Sequence, residues 1–155
     1  QILTLFEDKF TQQGGEKAAE YAQKSVDAYL SLADNGMPLS DVQKLNLESA
    51  YCVLEEYGKA EEILLAMGGE NPDNYLPYLR LALLYAAMEG EKENESRDYT
   101  KVRENYELAV DHYQEARNNG VSDPQMQVLE NLMQQLISGG WFGDDGSMAA
   151  PEGGN

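Results

Sequence analysis

Six residues of this chain stand at offsets that a single pair of antiparallel helices accounts for. Tyr51 follows Leu47 by four positions, and Ala60 follows Tyr51 by nine. Leu64, Met67 and Pro72 come four, seven and twelve positions after Ala60. A small residue where two helices cross lets their backbones approach, and large apolar or aromatic residues fill the gap beside it. The proline then stops the second helix, because it lacks an N–H and its ring clashes with the preceding turn. A pair of this kind leaves one apolar face uncovered. Stability therefore requires further pairs stacked on the first, and a terminal helix with a polar outer face.

The rest of the chain carries the same helical period. Strand signals are scarce, since no segment alternates apolar and polar residues between turn dipeptides. The pattern predicts a first helix over Leu3–Gln12, ended by Gly14-Gly15. It predicts a second over Glu16–Asp34, with Ala18, Ala22, Val26, Tyr29 and Ala33 on one face, closed by Gly36 and Pro38. Ser40 with Gln43 three residues on is a capping box opening a third helix, whose apolar stripe continues to Gly58. A fourth covers Lys59–Met67 and stops at Gly68-Gly69. Asp73 or Asn74 caps a fifth, from Tyr75 to Glu89, the most apolar segment. The polar stretch Gly90–Asp98 separates it from a sixth, Tyr99–Asn118. Asp123-Pro124 then opens a seventh, ending near Ser138. Its Gln125, Gln127, Glu130, Asn131, Gln134 and Gln135 suit it to cap a stack. Trp141-Phe142 is expected to tuck back onto that helix. The Gly-rich acidic stretch 143–155 reads as a flexible tail after a helical domain spanning 1–142.

The run Leu47–Tyr51 through Tyr57–Ala60 resembles a tetratricopeptide repeat, and the likeness extends over residues 41–113. In a second unit Tyr78, Leu81 and Tyr85 are answered by Val102, Tyr106 and Ala109. Tyr85 and Val102 are seventeen positions apart where nine are expected, so eight residues are inserted, at the polar stretch 90–98. Pro38 lies 34 residues before Pro72 and marks an earlier, degenerate unit. The resemblance implies an all-α fold of antiparallel helix pairs, stacked as a short right-handed superhelix with a C-terminal cap helix. It also implies a non-enzymatic protein-binding scaffold. In such domains the first helix of each pair lines the concave surface. Here that places Val42, Leu45, Ser49, Cys52 and Val53, then Leu76, Leu79, Leu83, Ala86 and Ala87, along an apolar groove. Asn46 and Arg80 stand at one offset used by relatives that clamp a terminal carboxylate. Leu45, Leu76 and Leu79 occupy other clamp positions, which argues against that mode.

Charge narrows the partners. Twenty-eight acidic against eleven basic residues give a net charge of −17, which repels nucleic acid and anionic membrane surfaces. A protein or peptide partner fits, and a second copy of the chain is a further candidate. The groove has three candidate occupants: a peptide or helix, another copy, or the chain's own Leu3–Phe10 or Trp141-Phe142. With one cysteine, Cys52, and one histidine, His112, the chain has no internal disulfide and no Cys/His zinc set. No triad, phosphate loop or calcium loop is present in the sequence, so no cofactor or metal is expected. The opening residues Gln1–Phe6 lack an initiator Met and a signal-peptide layout, and read as an internal cut. More distantly, the stretch from the fifth helix to Ser138-Gly139-Gly140-Trp141 resembles C-terminal repeat regions of bacterial membrane-tethered serine/threonine kinases. That likeness implies a sensor or oligomerising region, on either side of the membrane.

Overall fold

The structure, a computed structural model, describes the backbone of residues 2–142 and the side chains of residues 16–142. It is all-helical, with α1 (Ile2–Asp34), α2 (Asp41–Val53), α3 (Tyr57–Glu70), α4 (Tyr75–Gly90), α5 (Thr100–Asn118) and α6 (Pro124–Ser138). A short 3₁₀ turn, Asn94–Ser96, lies between α4 and α5. Among the described residues there is no strand element. The tail 143–155 and the side chains of Leu3–Phe10 lie outside the described residues.

Most caps fall where side-chain chemistry puts them. Ser40 and Gln43 exchange reciprocal hydrogen bonds at the start of α2, with Ser40 N donating to Gln43 Oε1 at 2.9 Å and Gln43 N to Ser40 Oγ at 3.2 Å. Asn74 caps α4, and Asp123 with Pro124 opens α6. Glycine pairs were weaker punctuation than the sequence suggested. Gly14-Gly15 do not divide the first segment: α1 is one helix of 33 residues, about 50 Å long. Gly68-Gly69 lie inside α3, which continues to Glu70. An interior glycine costs a helix about 1 kcal/mol against alanine, which flanking turns can outweigh. At α2 the error runs the other way. The helix ends at Val53, five residues before Gly58.

The chain divides into two compact units, Gln1–Ile63 and Leu64–Asn155, with the boundary inside α3. In the first unit α1 packs against α2. Ala22 and Val26 of α1, Leu47, Ala50 and Tyr51 of α2, and Ala60 of α3 are buried. Asn46 Nδ2 donates to the Tyr29 hydroxyl at 3.3 Å, and Lys59 Nζ stands 5.5 Å from the centre of the Tyr51 ring.

In the second unit α4 packs along α5 and also meets α6. Tyr78 early in α4 stacks on His112 late in α5, while Tyr85 late in α4 lies beneath Lys101 early in α5. The α4/α5 pair is therefore antiparallel. Leu79, Ala82, Val102, Ala109 and Leu129 are fully buried, and Leu81, Leu84, Tyr85 and Met133 nearly so. Trp141 is buried edge-on against Tyr99, with ring centres 4.8 Å apart, and Arg103 covers Phe142. The aromatic pair folds back onto the start of α5, whereas the sequence pattern places it on the last helix.

The inserted stretch between α4 and α5 is anchored from below. The buried Glu89 carboxylate accepts from Asp98 N at 2.8 Å and from Lys92 Nζ at 2.7 Å. Arg97 donates to the carbonyls of Lys92 and Gly90, both at 2.8 Å. Asp98 in turn accepts from the backbone N–H and the hydroxyl of Thr100 at the entrance to α5. Those two hydrogen bonds, the hydroxyl first, hold its carboxyl below the usual range, with Lys92 and Lys101 adding to the effect. Eight extra residues thus form a clasp between two helices.

Candidate functional site

The two sets of residues assigned to an inner surface lie in different units, the α2 set in the first and the α4 set in the second. Each has its own geometry.

On α2 the periodicity separates two faces. Leu47, Glu48, Ala50 and Tyr51 are buried. Val42, Ser49 and Val53 are spaced seven and four apart, so with Leu45 and Asn46 they share the opposite stripe. Val42 is 68% exposed and Val53 49%, Asn46 is exposed, and Leu45, Ser49 and Cys52 are half-buried. Val42 and Val53, at the two ends of the stripe, therefore present aliphatic side chains to solvent, with half-buried Leu45 and the polar Asn46 and Ser49 between them. The buried side holds one group the sequence reading did not single out. The Glu48 carboxylate is 3% exposed and accepts from Cys52 Sγ at 3.4 Å and Ser49 Oγ at 3.5 Å. Its position between Leu47 and Ala50–Tyr51, at the edge of the apolar stripe, was the only signal.

On α4 the outcome is mixed. Leu76, Leu83 and Ala86 are half-buried and Ala87 is exposed. Leu79 does not line an open surface: its side chain is fully buried. Arg80 is half-buried, with Nη1 donating to Gln125 Oε1 on α6 at 3.5 Å. A helix with a partner on each of two sides has little face left open, and α4 packs against both α5 and α6.

The second unit also contains a run of phenol–carboxylate contacts that pattern reading missed. Tyr75 donates to Asp123 Oδ2 at 2.8 Å, and the Tyr113 hydroxyl accepts from Asp123 N at 2.9 Å. The rings of Tyr75 and Tyr113 meet edge to face, 4.8 Å between centres. Tyr106 donates to Glu130 Oε2 at 2.7 Å. Burial, then the hydrogen bond to Glu130, pushes the Tyr106 phenol up to about 12. The Tyr75 phenol is raised further for the same reasons, with Asp123 as partner. No sequence offset links Tyr75 to Asp123, because 48 positions separate them.

A half-open cleft of about 520 Å³ between α5 and α6 borders this run, lined by Val110, Tyr113, Arg117, Asp123, Met126 and Glu130. Both oxygens of Asp123 are already engaged, by Tyr75 and by the N–H of Gln125. The contacts join α4, α5 and α6 and explain the cluster as a structural joint. His112 is half-buried against Tyr78, ring centres 5.5 Å apart.

Among the described residues no group of three or more His, Cys, Asp or Glu side chains could hold a metal ion. No helix of the described residues is long and apolar enough to cross a membrane. On α2 the exposed aliphatic side chains are Val42 and Val53, and on α4 Leu76 and Leu83 are half-buried. Comparison with family models, with curated proteins and with solved structures finds no match for the chain.

Proposed function

We propose that this chain is a non-enzymatic protein-interaction module of tetratricopeptide-like character, and that the α2 stripe is its docking face. One observation carries the reading: Val42 and Val53, three turns apart on one face, are both about half exposed or more. An aliphatic stripe left in water at regular helical spacing has the form that an amphipathic helix or extended peptide recognises. Docking removes that apolar area from water at roughly 25 cal/mol per Å², offset by the ordering of the partner. The half-buried Leu76 and Leu83 of α4 offer a smaller face of the same type in the second unit.

A displayed peptide library selected on the protein tests this. Bound peptides should be lost from a V42D/V53D variant that melts at the wild-type temperature. Selection that yields no binder, or binders indifferent to that variant, rejects the docking face. Static light scattering over a wide concentration range separates a peptide site from a homodimer. A dimer abolished by the same variant would replace the peptide with a second copy.

A further inference from the structure

The way α2 ends points to the charge of its partner. Three helices close in one motif. The second residue after the helix takes a positive φ, the next N–H reaches back five residues, and the positive-φ position is glycine: Gly36, Gly120 and Gly140, at φ 80°, 90° and 79°. Met37 N, Val121 N and Trp141 N make the long bond, to Leu32, Ala116 and Leu136. Helix α2 closes with the same bonds, Glu56 N to Tyr51 O at 2.8 Å and Glu55 N to Cys52 O at 3.0 Å. Yet its positive-φ residue, at 58°, is Glu55. Glutamate there is disfavoured twice. A side chain in the left-handed region crowds its own carbonyl. A carboxylate at a helix C-terminus also faces the negative end of the helix dipole. No basic residue in the last turn of α2 offsets it.

Glu55 is exposed and stands just beyond Val53, where the uncovered stripe ends. Asp41, also exposed, stands just before Val42, where it begins. The stripe therefore runs about 16 Å between two carboxylates. On a chain of net charge −17, a second acidic copy would meet repulsion along this face.

Resting on the docking face proposed above, we infer that its occupant is a basic amphipathic segment. Apolar side chains of that segment lie along Val42, Leu45 and Val53, while lysine or arginine groups pair with Asp41 and Glu55. The unfavourable glutamate is retained at the end of α2 because it recognises the partner's cation.

The test uses an amphipathic peptide with leucines on one face and flanking lysines, and a twin carrying glutamate in place of each lysine. The lysine peptide should bind the wild-type chain, weaken as salt is raised, and lose affinity for V42D/V53D. The twin should not bind. E55Q should bind the lysine peptide about two- to fivefold more weakly, the range of one exposed ion pair. E55G should melt about 2–4 °C higher than wild type while binding as weakly as E55Q. Stability and affinity then move in opposite directions at one residue. Equal binding of the two peptides, or undiminished binding by E55G, overturns the charge inference and leaves the docking face standing. Lysine-peptide binding that V42D/V53D leaves intact shows nonspecific charge attraction and overturns the inference. Failure of both peptides on wild type overturns it too, and the docking face itself falls only if the peptide library yields no binder or only binders indifferent to V42D/V53D.

Discussion

Leu79 and Leu83 lie one turn apart on α4, and their different burial decides what each substitution does. Leu79 touches no solvent, so L79A leaves a cavity and should cost about 2–5 kcal/mol, read as a lower urea midpoint. L83E should leave the fold close to its wild-type melting temperature, because a half-buried side chain can turn its charge to water. Equal losses for the two would mean that Leu83 is as enclosed as Leu79. Tyr106 supplies the pH-dependent case. Its phenol is neutral while it donates to Glu130, and its folded value of about 12 lies above the ordinary 10. The contribution is thus complete below pH 10 and is lost as pH rises from 10 through 12. Y106F should unfold at a lower denaturant concentration at pH 8, with the gap to wild type closing by pH 12. These residues differ in legibility. Tyr51, Ala60, Tyr85, Val102 and Ala109 are all buried as their offsets require. Glu48 and the Tyr75–Asp123 bond were hidden, since the pattern treats glutamate as solvated and pairs residues only along one helix.

For the elements, starts marked by a capping side chain and the ends at Asp34, Asn118 and Ser138 fall where the sequence puts them, while the ends expected at Gly14, Gly58 and Gly68 do not. Starts are local, because Ser40, Asn74 and Asp123 each bond an N–H two or three residues ahead. Ends depend on whether the following turns find packing, and glycine alone does not settle that. Gly69 of α3 has open space where a Cβ would go. G69A should therefore stabilise the chain by about 0.5–1 kcal/mol, seen as a rise in melting temperature. No gain would show that the last turn of α3 is frayed in solution. The insertion between α4 and α5 reads in sequence as a polar tip. Glu89 makes it a fastened loop, through partners three and nine positions away that share no motif.

At the scale of the molecule, the net charge of −17 comes from acidic residues spread along the chain. Self-repulsion opposes compactness, and salt screens it over about 10 Å at 0.1 M. The melting temperature should rise between about 10 mM and 150 mM sodium chloride in differential scanning calorimetry. A fall would mean that the surface ion pairs outweigh the repulsion. Division into two units, Gln1–Ile63 and Leu64–Asn155, belongs to this scale as well, and no change in composition marks the boundary inside α3.

The sequence by itself determined that the chain is helical, where most helices begin, and which small and aromatic residues lie inside. Those properties follow from interactions within one turn and from the 3.6-residue period, which sequence spacing records directly. Tertiary structure alone decided that α4 loses Leu79 to the interior while α2 keeps Val42 and Val53 in water. A helix has the same stripe whether or not a neighbour lies on it, and only the packing of other segments determines which stripe stays open.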